Sequence, residues 1–232
     1  MNDESVQQLL VSVEQRLPRL ADPANLTALE MGVMVKECLD HLRSCLDYIA
    51  MDIVQCLNLQ IDERVKVYFP VHDTEEKYEK HVKESFPSLE VKSPVISRQL
   101  RSVQSFTSHE SVLGKLRMLS NSAKHHALPK PIDRKTARVE VPGAFLVEGR
   151  NIVFSGNRIN GMLVDEVGIR EGDVVFRNDG LIPALVVKNH RLFLEHINED
   201  AADFLGRCVA QIRPMALAIY SELETGSPPH PR

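Results

Sequence analysis

The chain has 232 residues, of which 43% are hydrophobic and 26% are charged, and this composition is typical of a folded globular protein. No stretch approaches the roughly 18 consecutive apolar residues that a membrane span needs, and the acidic start, MNDESVQQLL, lacks the features of a secretory signal. We therefore expect a soluble, cytoplasmic protein without a membrane partner. The net charge of −4 argues against a dedicated nucleic-acid-binding protein.

Helical periodicity dominates the first part of the chain. Apolar residues at spacings of three and four predict a first helix over 3–17, which Pro18 ends. Thr27 and Glu30 have the spacing of a capping box and begin a second helix that reaches about Leu59. One face of this helix is predicted to lie in the core and carries Leu39, Leu42, Leu46, Ile49, Ile53 and Leu57.

The segment Arg64–Val71, RVKVYFPV, alternates as an extended strand does, although Pro70 excludes it from a central strand. Asp73 and Glu76 then predict the cap of a polar third helix that ends near Ser85. The rest of the helical region is predicted as a loop at 86–94 and helices at 96–106 and 112–128, with prolines 129 and 131 ending the last of these.

From about Arg138 the hydrophobic period changes to two, which predicts strands. Seven short strands are expected, at 138–141, 145–147, 152–154, 163–167, 174–176, 184–187 and 192–194. The turn pairs Asn160-Gly161 and Asp179-Gly180 separate some of them and favour a small antiparallel sheet or meander. Neither a G-x-G-x-x-G fingerprint nor a Walker loop occurs, so we expect no cofactor.

A last helix is predicted to start at Asn198, with acidic residues in its first turn and a kink where Pro214 interrupts it. Its wide apolar face predicts that it returns to the N-terminal helices. The expected fold is therefore α+β, a mainly helical bundle with a small antiparallel β-sheet insertion before the C-terminal helix. The predicted boundaries are 1–133 for the bundle, 134–197 for the insertion, 198–224 for the helix and 225–232 for a disordered tail.

The four cysteines include no C-x-x-C pair, and three of them lie on the second helix, too far apart for a tetrahedral zinc site. We expect buried, reduced thiols and no bound metal. Among the histidines, His72, His190 and His230 are isolated in the sequence and are expected to be solvated. His41 and Asp47 on the second helix are interpreted as a polar contact within the bundle.

Basic residues are concentrated between Lys92 and Arg138. This segment contains ten basic and two acidic residues, a net charge of +8 in a chain whose net charge is −4. Such an asymmetry is expected of a surface that attracts an anionic partner. The alternative is that these side chains pair with acidic helices of the same fold.

The predicted helix over 112–128 carries a polar strip beside its core face, with Arg117, Asn121, Lys124 and His125 on neighbouring helical positions. An imidazole beside an amide and two cations has the groups that RNA cleavage requires. Histidine can move the proton of a 2′-hydroxyl, and a cation can stabilise charge on the phosphorane. The alternative is that Asn121 and His125 only cap backbone groups nearby.

Three segments resemble a broad family of uncharacterised bacterial proteins, namely HLRSCLD at 41–47, YFPV at 68–71 and LRMLSNSAKH at 116–125. The layout is also similar to the HEPN superfamily of helical bundles, many of which are metal-independent ribonucleases or toxins that act as dimers. The motif of that superfamily is Arg, a polar residue that is often Asn, a few residues and then His. Asn121 and His125 match the last two, Ser120 stands where the motif has Arg, and Arg117 lies one turn earlier.

The resemblance implies a HEPN-like protein that binds RNA or cleaves it without a metal ion, acts as a homodimer and belongs to a toxin or defence system. The catalytic residues are then Asn121, His125 and Arg117, and the phosphate-binding residues are Lys115, Arg117, Lys124 and Lys130. The alternative is a catalytically inert helical module with a protein partner.

Overall fold

A computed structural model describes residues 1–22, 26–107, 111–125, 131–141, 145–159, 162–171, 173–177, 185–194 and 196–226. These residues form a mostly helical protein with two small antiparallel sheets and a C-terminal helix, which confirms the α+β class. The helices are α1 (Asp3–Glu14), α2 (Leu17–Ala21), α3 (Ala28–Cys56), α4 (Glu75–Ser85), α5 (Leu89–Lys92), α6 (Pro94–Ser102), α7 (Val112–His125) and α8 (Ala201–Gly226). The strands are β1 (Pro131–Val141), β2 (Phe145–Gly149), β3 (Ile152–Ile159), β4 (Met162–Arg170), β5 (Asp173–Arg177), β6 (Leu185–Leu194) and β7 (Glu199–Asp200).

The chain divides into two compact units. The helical unit consists of Met1–Pro18, Gly32–Lys130 and Ala202–Arg232, and the strand unit consists of Arg19–Met31 and Pro131–Ala201. No helix among the described residues is both long and apolar enough to cross a membrane.

The core of the helical unit is built on one face of α3, as the spacing predicts. Its buried side chains are Leu39, Leu42, Leu46, Ile49 and Ile53, whereas Leu57 lies beyond the end of the helix and is half-buried. Helices α1 and α8 belong to the same unit. Arg213 of α8 forms an ion pair with Glu14 of α1 at 2.6 Å, and the Tyr220 hydroxyl donates to the buried carboxylate of Asp52 at 2.9 Å.

The cysteines occupy this core, as expected. Cys38, Cys45 and Cys208 are buried, Cys56 is half-buried, and all four are free thiols. Burial raises the pKa of Cys38 to about 11 and that of Cys45 to about 12, so both thiols stay protonated and behave as small hydrophobic side chains.

Several predicted helix ends are wrong for identifiable reasons. The first helix ends at Glu14, and Pro18 lies in the first turn of α2. Backbone N–H groups in a first turn make no hydrogen bond within the helix, so proline is tolerated there. Thr74, not Asp73, caps α4, because its hydroxyl accepts from the Lys77 N–H at 3.4 Å. The predicted loop at 86–94 contains the short helix α5. The capping box at the start of α3 is confirmed, with the Thr27 N–H donating to the Glu30 carboxylate at 2.8 Å.

Helix α8 begins later than predicted and is continuous through Pro214. Pro214 and Ala210, whose carbonyl loses its helical donor, are both exposed, so water can satisfy that carbonyl. Glu199 and Asp200 form β7 in place of the predicted first turn, because Asn198 has a left-handed φ of 52° and its N–H donates to the Leu194 carbonyl at 2.8 Å.

The strand unit contains two antiparallel sheets, with strand orders β2-β1-β6-β7 and β3-β4-β5. Strand β6 spans both of the last two predicted strands, and β1 starts at Pro131, seven residues before the prediction. Ile159 pairs with Met162, and the predicted turn residues Asn160 and Gly161 lie outside the described residues. Gly168 of β4 is required by close packing, because a Cβ atom there would lie 2.1 Å from the carbonyl oxygen of Ile152.

Candidate nucleic-acid interface

Helix α7 places Arg117 and Asn121 at a cavity of the helical unit, while Leu113, Leu116 and Leu119 of the same helix are buried. The two polar residues are four positions apart and are therefore neighbours on one helical face. The cavity has a volume of about 240 Å³, and we name it the Arg–Asn cavity. Its lining residues are Arg43, Tyr68, Phe69, Val71, His72, His81, Arg117 and Asn121.

Ser120, the residue at the position where the HEPN motif has Arg, lies on the core side of α7. It is 1% exposed, and its hydroxyl donates to the Leu116 carbonyl at 2.7 Å. An arginine at this position would have to bury its charge. Arg117, 32% exposed at the side chain, is the cation that α7 offers to the cavity.

Helix α3 contributes Arg43, which an ion pair holds in place. Arg43 and Asp47 are one turn apart, with nitrogen–oxygen distances of 3.2 Å at both contacts, and the Arg43 side chain is only 15% exposed. Asp47 also accepts from the backbone N–H of Phe69 at 3.3 Å. The guanidinium lies 5.8 Å from the ring centre of Tyr68, as a cation–π contact does. Asp47 therefore fixes both the cation and the chain segment that carries Tyr68.

The segment Arg64–Val71 begins in a turn and forms no strand, and side chains hold its backbone instead. Gln104, which is fully buried, donates from Nε2 to the carbonyls of Pro70 and Leu100, both at 2.6 Å. Its Oε1 accepts from the His72 N–H at 3.0 Å. One buried amide thus holds the end of this segment on the helical unit and places His72 at the cavity.

His72 is not isolated, which corrects the expectation from the sequence. Its Nε2 lies 2.8 Å from Nδ1 of His81 on α4, and the two rings meet edge to face with centres 5.0 Å apart. The His72 Nδ1 atom is buried and has no hydrogen-bond partner among the described residues. The histidine pair forms part of the wall of the Arg–Asn cavity.

Both histidines are neutral near pH 7. Burial, followed by the charges of His81 and Arg117, lowers the pKa of His72 to about 4, with Asp73 opposing the shift. Burial also lowers the pKa of His81, and the Tyr68 backbone opposes this shift. An imidazole whose pKa lies so far below 7 is a weak proton acceptor. His72 is therefore suited to shaping the cavity rather than to moving protons.

Among the described residues, Arg117 has one acidic partner, Asp73, at 2.9 Å. Asp73 is 66% exposed and also lies 3.5 Å from the Lys77 ammonium group. Such an exposed pair contributes only about 0–1 kcal/mol, because water screens it. A phosphate can therefore compete for Arg117 at little cost.

A second cavity of about 500 Å³ is lined by the same two histidines, and we name it the lysine cavity. Its charged lining residues are Arg64, Lys66, Lys77, Lys80 and Glu84. Lys77, Lys80 and Glu84 lie on one face of α4, at spacings of three and four. Arg64 and Lys66 are exposed, whereas Val65 and Val67 are half-buried.

The other predicted site residues lie elsewhere or outside the described part. Lys115 is half-buried on α7 and lines neither cavity. Lys124 and His125 are the last two residues of α7, and their side chains lie outside the description, as does the whole of Lys130. His41 is half-buried on α3 and lines neither cavity.

The positive charge of the segment 92–138 is partly neutralised within the helical unit. This favours the interpretation that its basic side chains pair with acidic helices of the same fold. Arg101 forms ion pairs with Glu75 and Glu79 of α4. The Lys92 ammonium group donates to two backbone carbonyls, at 2.7 and 2.8 Å. Much of the positive charge at the cavities comes instead from Arg64–Lys80, a region in which basic residues do not outnumber acidic ones.

Sequence reasoning therefore missed the histidine pair and the lysine cavity. A signal for the second was present, because Lys77, Lys80 and His81 share a helical face and Arg64 and Lys66 share a strand-like face. No local signal pairs His72 with His81, since the contact depends on how α4 folds back on the segment Arg64–Val71.

No family model, curated protein or solved structure matches the chain. Within the described residues, no group of three or more His, Cys, Asp or Glu side chains is placed to hold a metal ion. The groups that the cavities offer for chemistry are their cations, amide, imidazoles and aromatic ring.

Proposed function

We propose that the helical unit binds RNA at the Arg–Asn cavity and cleaves it without a metal ion. The observation that carries this proposal is the convergence of Arg43, Arg117 and Asn121, from two helices, on one cavity. Guanidinium groups suit phosphate because their planar N–H donors match two phosphate oxygens at once.

Binding uses the two cations and one aromatic ring. Arg43 is held by Asp47, so little side-chain entropy is lost when it binds a phosphate. Tyr68 is 43% exposed beside it and is free to stack on a base. Stacking on an aromatic side chain contributes about 1–3 kcal/mol per base and tolerates any sequence.

Cleavage is assigned to the residues of α7. His125, the last residue of α7 and four positions after Asn121, takes the proton of the 2′-hydroxyl. The 2′-oxygen then forms a bond to phosphorus, the bond from phosphorus to the 5′-oxygen breaks, and the leaving oxygen takes a proton from water. Arg117 and Asn121 donate hydrogen bonds to the phosphorane oxygens, whose charge increases in the transition state.

Two further points support this assignment. The likeness of the α3 and α7 segments to HEPN bundles implies the same class of activity. His72 is excluded as the base because its free ring nitrogen is buried and its pKa is about 4.

The test is incubation of the purified protein with RNA in a chelating buffer. We expect cleavage by the wild type and a loss of about 10²–10³-fold in rate for His125→Ala and Asn121→Ala, since each change removes a proton-transfer or charge-stabilising group. Met118→Ala is the matched control, because Met118 is 45% exposed on the same helix and lines neither cavity.

Circular dichroism must show that each variant is folded. Cleavage that survives both substitutions would remove the proposed catalytic roles. A wild type that neither cleaves RNA nor binds it in a salt-dependent way would refute the proposal as a whole.

A further inference from the structure

The lysine cavity concentrates positive charge that the protein itself leaves uncompensated. Four cations and one carboxylate, Glu84, line a space of about 500 Å³. Lys77 has only the weak contact with Asp73, at 3.5 Å between exposed groups. Among the described residues, the side chains of Arg64, Lys66 and Lys80 form no ion pair or hydrogen bond.

Other basic residues of the same unit do have acidic partners. Arg101, Arg213 and Lys36 each face one or more carboxylates. Like charges gathered in one concave site repel each other and reduce stability, whereas they raise the local concentration of anions. An unpaired cluster in a cavity therefore indicates an anionic ligand.

The two cavities meet at the same pair of side chains. His72 and His81 line both, so the lysine cavity and the Arg–Asn cavity adjoin each other at the hydrogen-bonded pair. Because both imidazoles are neutral near pH 7, the pair presents no fixed charge between the two sets of cations. A ligand with several phosphates in a row can contact both cavities.

We infer that the lysine cavity binds the backbone phosphates of the RNA strand that flank those held in the Arg–Asn cavity, so that a single strand crosses the His72–His81 pair. This inference rests on the proposed function, since it concerns the path of the same RNA. A single strand is indicated because Tyr68 offers its ring to a base, and the bases of a duplex are already stacked and paired.

The test is the salt dependence of binding to a fluorescent single-stranded RNA whose 2′-hydroxyls are methylated, so that cleavage does not occur. The variant Arg64→Gln/Lys80→Gln removes two charges from the lysine cavity. The variant Lys83→Gln/Arg98→Gln removes one lysine and one arginine that are exposed and line neither cavity, and Lys83 lies on the same helix as Lys80. Both variants therefore change the net charge equally.

Each phosphate contact with a single strand contributes about −0.7 to the slope of log Kobs against log salt. For Arg64→Gln/Lys80→Gln we expect the slope to become less steep by about 1.4 and binding at about 0.1 M salt to weaken roughly 20-fold. The control variant should retain the wild-type slope and bind within about 2-fold of the wild type. A duplex of the same sequence should bind more weakly than the single strand.

Arg117→Gln in the same assay separates the two proposals. If Arg117→Gln weakens binding while Arg64→Gln/Lys80→Gln behaves like its control, RNA binding at the Arg–Asn cavity stands and the extension into the lysine cavity is wrong. Equal effects of the two double variants would likewise overturn the inference, because net charge alone would then explain them. A wild type that binds no RNA contradicts both proposals.

Discussion

The two cavities share a pair of histidines but hold their cations in different ways. In the Arg–Asn cavity each arginine has a carboxylate partner, Asp47 for Arg43 and Asp73 for Arg117. In the lysine cavity, Arg64 and Lys80 have none among the described residues. On the proposed function, the first cavity positions a phosphate, whereas the second attracts one.

This difference matches two separate physical tasks. A cation held at a defined position stabilises a charge that develops at one atom during a reaction. Unpaired, flexible cations contribute through counterion release and long-range attraction, which depend little on geometry. We therefore expect changes at the Arg–Asn cavity to act through structure and changes at the lysine cavity to act through charge.

The largest effect is expected from Gln104→Leu, which would break the wall of the Arg–Asn cavity. The substitution leaves the Pro70 carbonyl and the His72 N–H without their buried partner. The free energy of unfolding should fall by about 3 kcal/mol, since each unsatisfied buried group costs about 1–3 kcal/mol. Urea denaturation measures the change. Gln99→Leu, a half-buried glutamine on α6 five residues earlier, is the control and should change stability by less than about 0.5 kcal/mol.

A smaller effect is expected for Asp47→Asn, which keeps the side-chain shape but removes the charge that holds Arg43. RNA should bind about 5–10-fold more weakly than to Asp40→Asn, because Arg43 loses its charged partner and its fixed position. Asp40 lies on the same helix, pairs with Lys36 and lines neither cavity, so the control removes an equal charge. Equal affinities of the two variants would show that Arg43 does not need Asp47.

The histidine pair should make stability depend on pH. The pKa of His72 is about 4 in the folded protein and about 6.5 in an unfolded chain, so the unfolded state takes up a proton first as the pH falls. Stability is therefore full above pH 6.5 and declines toward pH 4. Allowing for the partial exposure of His72, we expect a loss of about 1 kcal/mol between pH 7 and pH 5. His72→Gln should flatten this decline, and an unchanged profile would argue against the assignment.

The smallest effect is expected for Asp73→Asn, which would make Arg117 resemble the unpaired cations of the lysine cavity. Asp73 contacts both Arg117 and Lys77 and is 66% exposed, so on the proposed function it competes with RNA for both cations. RNA should bind about 2–3-fold more tightly than to Asp40→Asn, in line with the small contribution of an exposed ion pair. Weaker binding would mean that Asp73 positions Arg117 instead of competing for it.

The sequence predicts the helical core well because its signal is local. The apolar stripe of α3 and the leucines of α7 repeat at spacings of three and four, and these are the side chains that the structure buries. Helix ends were less predictable. Pro18 can end one helix or stand in the first turn of the next, and Thr74 can cap a helix as well as the neighbouring Asp73 can. The two sheets required pairings between distant strands, such as β1 with β6, which no local pattern specifies.

The candidate site was predictable only in part for the same reason. Arg117 and Asn121 were found because they share one helical face with a recognisable spacing. Arg43 was noted only as part of a segment, and its role depends on Asp47 and on the distant ring of Tyr68. His81 contributes through a contact with His72 that exists only in the folded chain.

The most direct test of the central claim is to follow the imidazole proton signals of the histidines by NMR while methylated single-stranded RNA is added. The signals of His72 and His81, assigned with His72→Gln and His81→Gln, should move together with that of the proposed base His125, because both rings line both cavities. The signal of His41, which lines neither cavity, should move little. Binding of RNA that leaves His72 and His81 unperturbed while other histidines shift would contradict the account.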